Sequence, residues 1–285
     1  NFDLGFKKDV DIRKSVERVK DADIVIFASG ISPSLEGEEM GVNLPGFKKG
    51  DRTDIELPAV QRELIDALHR AGKKIILVNC SGSPIGLEPE TQKCEAILQA
   101  WYPGQQGGKA VAEVLFGDYN PAGKLPVTFY RNVSQLPDFE DYNMTGRTYR
   151  YMQDVPLFPF GYGLSYTTFG YGKTVLDKNE LTAGQSLKLT VPVTNTGKCN
   201  GEEVVQVYLR KQGDAEGPIK TLRAFKRVSI PAGKTVNVEF DLKDKELEWW
   251  DDQSNTVRVC PGNYDIMVGG SSKEEDLQRT TIAIK

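Results

Sequence analysis

Three glutamates, Glu36, Glu38 and Glu39, crowd the short stretch "SLEGEEM", which follows closely on the apolar run Val25 to Ser29. Like charges at that spacing repel. A carboxyl group with an anionic neighbour and a partly dry surrounding favours its neutral form. Held neutral, it can give up a proton and later take one back, which is general acid–base chemistry. The competing reading is a solvated acidic loop with no chemical duty, the usual fate of a short charge run. Further on, "GDR" brings Asp51 and Arg52 into the same region. Arg52 either fixes the loop through a bidentate carboxylate contact or hydrogen-bonds a ligand hydroxyl. Alternatively it is solvated, with Asp54 capping the helix that follows. Trp101 and Tyr102 in "AWYPGQQGG" offer aromatic faces for a ligand ring, or serve as packing residues.

Other chemistries find little support. His69, the only histidine, lies in "VQRELIDALHRAG", where it reads as a solvated helix-end residue near the negative end of the helix dipole. A Ser-His-Asp or Cys-His mechanism would have to use it. The four cysteines form no CxxC pair, and zinc has no ligand cluster. Cys80 and Cys94 flank apolar strands and read as buried thiols, while Cys199 and Cys260 could pair only if the fold brings them together. "GQQGG" has neither dinucleotide nor P-loop spacing, so its glycines read as a tight turn and no cofactor or metal is expected. A chain of 285 residues with 39% apolar residues, 27% charged residues and a net charge of −4 has an ordinary globular composition. There is no basic footprint for nucleic acid or an anionic membrane. No apolar run approaches the roughly 18–20 residues of a membrane-spanning helix.

Two textures position these residues. Up to about residue 130, helix-period segments alternate with short apolar runs: "DIRKSVERVKDA", "DIVIFAS", "PAVQRELIDALHRAGK", "KIILVNC", "CEAILQAWYP" and "QQGGKAVAEVLFGD". That alternation predicts an α/β three-layer sandwich, a mostly parallel sheet with helices on both faces. Ligands of such sheets sit beyond the carboxyl ends of the strands. The acidic loop, "SGSPIGL" and "WYPGQQGG" all fall there, which predicts one shared rim. Residues 131–173 are rich in aromatics, Pro and Gly, and read as an adhesive strap rather than a floppy linker. From 174 to 285 the period becomes two, with turns at "PAGKT" and "CPGNY", predicting an immunoglobulin- or fibronectin-like β-sandwich.

Four stretches carry a resemblance: "GISPSLEGEE" with "GDRTDIELPAVQ", "AWYPGQQGGKAVAEVLFGDYNPAGKLPVTF", "GRTYRYMQDVPLFPFGYGLSYTTF", and the terminal sandwich. Together they resemble the C-terminal part of a glycoside hydrolase family 3 enzyme of the β-xylosidase/β-glucosidase type. The resemblance implies an α/β/α sandwich over 1–130, the strap, and a fibronectin type III-like domain over 174–285. It also implies an N-terminal barrel, absent from this chain, that would bring the nucleophilic aspartate. The sandwich is then expected to lack a strand at its start. The opening "NFDLGFKKDVDIRKS" has no Met and reads as neither a signal nor a transit peptide.

Retaining glycosidases place two carboxyl groups about 5–5.5 Å apart across the scissile bond. The resemblance assigns the general acid/base to Glu36, with Glu38 as runner-up because "MGVNLPGFKK" displaces the register counted back from Arg52. Arg52, Trp101 and Tyr102 become candidate substrate contacts. The implied partners are an oligosaccharide or aryl glycoside with a terminal xylosyl or glucosyl unit, and the missing barrel. An extracytoplasmic location would suit a polysaccharide degrader. The chain alone is expected to be nearly inactive. A non-catalytic carbohydrate-binding or scaffolding module is the alternative.

Overall fold

A computed structural model describes residues 10–36, 40–42, 44–49 and 51–285. They divide into two compact units. One comprises residues up to Leu115 together with Phe129–Asp138; the other comprises Phe116–Thr128 and Phe139–Lys285.

The first unit is built on three parallel strands, β1 (Ile24–Gly30), β2 (Lys74–Cys80) and β3 (Ala96–Gln99), in that spatial order. Ile24 pairs with Lys74 and Gly30 with Cys80, so β1 and β2 run in step to their carboxyl ends; Asn79 pairs with Gln99 on the other side. Four helices matter here: α1 (Ile12–Glu17), the single turn α2 (Pro33–Glu36), α3 (Ala59–Arg70) and α4 (Gly107–Phe116). Spacing explains α3: Gln61, Leu64, Ile65 and Leu68 recur at helical period and are its buried residues. Pro58 starts it without a side-chain cap, so Asp54 is not the cap; its carboxylate instead accepts from the Glu56 N–H at 3.0 Å. The helix ends in a Schellman motif, with Lys73 N–H on the Leu68 carbonyl at 3.1 Å and Gly72 N–H on that of His69 at 2.9 Å. His69 is exposed in that last turn.

Gln61 also fixes where β1 stops. Its side-chain oxygen accepts from Gly30 N–H at 2.9 Å, and its side-chain nitrogen donates to the Gly30 carbonyl at 2.7 Å. Gly30 sits at φ 124°, and a Cβ there would lie 1.9 Å from the Cys80 carbonyl oxygen. Only glycine lets the strand end so close to its neighbour. The acidic loop therefore leaves from a pinned point.

The second unit is the expected β-sandwich. Its strands are β4 (Leu187–Asn195), β5 (Gly201–Lys211), β6 (Thr221–Ile230), β7 (Thr235–Leu242), β8 (Gly262–Gly269) and β9 (Gln278–Ile284). One sheet runs β6-β5-β8-β9 and ends on Glu180–Leu181; the other runs β7-β4 and ends on Phe169–Tyr171. Alternate residues supply the core: Leu187, Leu189, Val191 and Val193 from β4, Val205, Val207 and Leu209 from β5. Period two thus becomes one buried face in β4 and β7, whereas β5 and β8 also bury residues of their second face, Tyr208 and Met267 among them. Trp249 is buried and stacks edge-on to Tyr264 at 6.0 Å, whereas Trp250 is half exposed. Cys199 and Cys260 are unpaired, the first exposed and the second buried. Within this unit Tyr149 stacks on Phe160 with centroids 4.2 Å apart and meets the Tyr208 ring edge-on at 5.9 Å. Here the aromatic segment packs on β5.

Candidate active site at the carboxyl rim of the parallel sheet

Each strand of the first unit delivers one part of a polar cluster. After β1 the chain makes the turn α2, whose last residue is Glu36. After β2 come Gly82 and Ser83, and after β3 comes Tyr102. The Glu36 carboxylate collects all three. Its Oε2 accepts from the Tyr102 hydroxyl and from Gly82 N–H at 3.3 Å, and its Oε1 accepts from the Ser83 hydroxyl. Space at Gly82 is tight: a Cβ would lie 2.7 Å from both Glu36 Oε2 and Tyr102 Cε2, so one of these side chains would have to move.

Arg52 enters from a two-residue hairpin pairing Phe47–Lys48 with Asp51–Arg52. No carboxylate among the described residues holds it; its guanidinium donates to a hydroxyl and two carbonyls. One terminal nitrogen donates to Ser83 Oγ at 3.2 Å and to the Pro84 carbonyl at 3.3 Å; the other donates to the Glu56 carbonyl at 3.4 Å. The guanidinium lies 6.0 Å from the Phe47 ring centroid. Burial pulls its pKa down, while Asp54, Glu36 and Glu56 oppose the shift. Arginine nonetheless stays charged in proteins. Positive charge therefore reaches Glu36 through the serine hydroxyl rather than by a direct ion pair.

Tyr102 is 38% exposed, so the cluster meets solvent. Burial, reinforced by the bond to Glu36, pushes its phenol up, and it remains a donor at neutral pH. Trp101 beside it has φ 57°, an uncommon left-handed position for a non-glycine residue. Its ring packs edge-to-face on Phe129 at 6.1 Å, which holds the backbone there.

Beneath the rim, Arg62 of α3 braces the loops. It donates to Glu56 at 2.7 Å, to both oxygens of Glu90 at 2.8 and 3.0 Å, and to the Gly86 carbonyl at 2.9 Å. Burial works against its charge, but the bonds from Glu90 and Glu56 outweigh it and hold its pKa up. Glu90 is fully buried. Asn79, Ser81 and Gln99 tie the ends of β2 and β3 together, with Asn79 donating to Gln99 at 2.6 Å and Gln99 to Ser81 at 3.1 Å.

The structure thus gathers Glu36, Tyr102 and Arg52 into one cluster and gives Trp101 a packing contact beside it. Glu38 and Glu39 lie outside the described residues. Ser83 and Gly82 escaped sequence reasoning as individuals; their only signal was the Gly/Ser-rich "SGSPIGL" at a strand's carboxyl end. Gln61 gave no signal beyond its place on the apolar face of α3. Among the described residues no three His, Cys, Asp or Glu side chains converge on a metal position. No helix there is long and apolar enough to cross a membrane.

Known proteins share this architecture. The family model for the glycosyl hydrolase family 3 C-terminal domain matches residues 5–166, and that for a fibronectin type III-like domain matches 203–272. A xylan 1,4-β-xylosidase of Xylanibacter ruminicola is 55% identical over 99% of this chain, which covers 32% of that protein. A periplasmic β-glucosidase of Salmonella typhimurium is 36% identical over 92% of the chain and 34% of its own length. A solved β-glucosidase of Erythrobacter marinus superposes with a TM-score of 0.82 at 38% identity, over 96% of this chain and 36% of its own. The chain thus spans about a third of the length of these relatives.

Proposed function

Since the chain belongs to glycoside hydrolase family 3, we propose that it is the acid/base-bearing part of a retaining, exo-acting glycosidase that removes terminal β-linked xylosyl or glucosyl units. One observation carries this reading. The Glu36 carboxylate sits at the strands' carboxyl rim, oriented by three donors from two other loops. In its acid form Glu36 gives its proton to the glycosidic oxygen as the bond to the anomeric carbon breaks; as a carboxylate it then takes a proton from the attacking water. An N-terminal barrel is the proposed source of the nucleophilic aspartate. Arg52, Trp101 and Tyr102 remain proposed substrate contacts, Tyr102 with the best access to solvent. Likeness to a xylan 1,4-β-xylosidase favours xylose, and a periplasmic relative favours an extracytoplasmic place of action.

The test compares leaving groups in the full-length protein. Glu36→Gln should lower kcat/KM on xylobiose or cellobiose by about 10²–10⁴-fold. A dinitrophenyl glycoside needs no proton on departure, so the first step should fall far less on it. Undiminished turnover of the disaccharide by the variant would leave Glu36 without this role, and Glu38→Gln would be the next to measure. Unchanged disaccharide turnover in both variants would favour a binding or scaffolding module.

A further inference from the structure

The hydrogen-bond directions around Glu36 are fixed by chemistry rather than by choice. Arg52 can only donate, so Ser83 Oγ accepts from it at 3.2 Å and must turn its single proton to Glu36 Oε1. The Tyr102 phenol keeps its proton and donates to Oε2, which also accepts from Gly82 N–H at 3.3 Å. A carboxylate offers about four acceptor sites, two on each oxygen. Both sites of Oε2 are taken. Among the described residues nothing takes the second site of Oε1.

We infer that Tyr102, presented by the left-handed Trp101, is a positioning residue that reserves Oε1 of Glu36 for the transferred proton. This rests on the reading of Glu36 as the acid/base. In the forward step the nucleophilic aspartate bonds to the anomeric carbon as the C–O bond breaks, and the glycosidic oxygen keeps that electron pair and takes the proton from Oε1. Oε1 then accepts the proton of the water whose oxygen bonds to the anomeric carbon and displaces the nucleophile. Through both steps Tyr102 and Gly82 stay on Oε2, so the same atom gives and receives. Trp101 contributes by geometry: at φ 57° it turns the chain beyond β3, and its ring on Phe129 secures that turn.

Without the phenol Oε2 lies open, and the donor can hold its proton on the wrong oxygen. The experiment measures kcat and KM for the full-length protein and for Tyr102→Phe, Ser83→Ala and Glu36→Gln. The substrates are xylobiose or cellobiose, whichever the wild type cleaves, and the matching dinitrophenyl glycoside. In Tyr102→Phe kcat on the disaccharide should fall about tenfold with KM little changed, and by less on the dinitrophenyl glycoside. Ser83→Ala should show the same split between the two substrates, which keeps the inference testable should Tyr102→Phe not fold.

If Glu36→Gln collapses on the disaccharide while both hydroxyl variants keep the wild-type kcat on both substrates, the inference is wrong and Glu36 keeps its role. If Glu36→Gln turns the disaccharide over normally, or the wild type cleaves neither disaccharide, the underlying reading falls and takes the inference with it.

Discussion

Gln61 closes both backbone hydrogen bonds of Gly30, accepting from its N–H at 2.9 Å and donating to its carbonyl at 2.7 Å, with both residues buried. A helix side chain thus does the work of a strand at the edge of the sheet, where the acidic loop departs. Gln61→Leu keeps the apolar stem and removes both partners. Each buried group left unmatched costs about 1–3 kcal/mol. Chemical denaturation of the purified chain should show a loss of about 3 kcal/mol, and a loss below 0.5 kcal/mol would mean that water replaces the amide.

A side chain at Gly82 would disturb the rim. The Cβ of an alanine would meet Glu36 Oε2 and Tyr102 Cε2 at 2.7 Å each. Gly82→Ala should displace the carboxylate from its donors and lower disaccharide turnover by the full-length protein at least tenfold. Its melting temperature should shift little, because the clash lies at a solvent-facing loop. Retained kcat/KM would show that the carboxylate need not sit where this geometry holds it.

The pairing of Arg62 with Glu90 is the most buried ionic contact of the first unit, with the Glu90 side chain at 0% exposure. Removing one partner leaves the other charge uncompensated in low dielectric. Glu90→Ala should destabilise the first unit by about 3 kcal/mol. Thermal unfolding followed by circular dichroism reads this directly. The double variant Glu90→Leu with Arg62→Met should recover much of the loss, since both charges then go.

Burial raises the pKa of Glu203 in the second unit, against the pull of Lys124, whose nitrogen lies 3.2 Å from it. The sign follows from linkage. A carboxyl with a raised folded-state pKa contributes stability that is complete below its unfolded value, about 4.5, and disappears as pH rises through the folded value. The melting temperature should therefore carry a downward component with rising pH, starting near 4.5. Glu203→Gln should flatten that component, and an unchanged slope would assign it to other groups.

Thiol chemistry should single out Cys199. It is exposed and unpaired, whereas Cys260 is buried and the Cys94 thiol is pushed up to about 11, chiefly by burial and then by Glu90. Titration of the native chain with a chromogenic disulfide should show one fast thiol, lost in Cys199→Ser. The mass of the chain should not change on reduction.

Much of this molecule was legible in its residues. Apolar runs alternating with helix-period segments gave the parallel sheet, and period two gave the sandwich, because both patterns are set by which side chains must leave water. Strand ends are legible as well, and they put the loop of Glu36, the stretch "SGSPIGL" and Tyr102 on one rim.

What the sequence could not contain is direction. Arg52 reads as holding a carboxylate, meeting a ligand hydroxyl or standing in solvent, and only the fold shows its guanidinium donating to Ser83. Trp101 and Tyr102 are neighbours in the chain, yet one packs on Phe129 while the other bonds to Glu36, because a left-handed residue turns the backbone between them. Gln61 looked like a polar interruption on a buried helix face. Patterning follows from the chain's own chemistry and is local. The bonds that Glu36 and Ser83 make at the rim join residues 31 to 66 positions apart, and only the packed sheet brings those within reach.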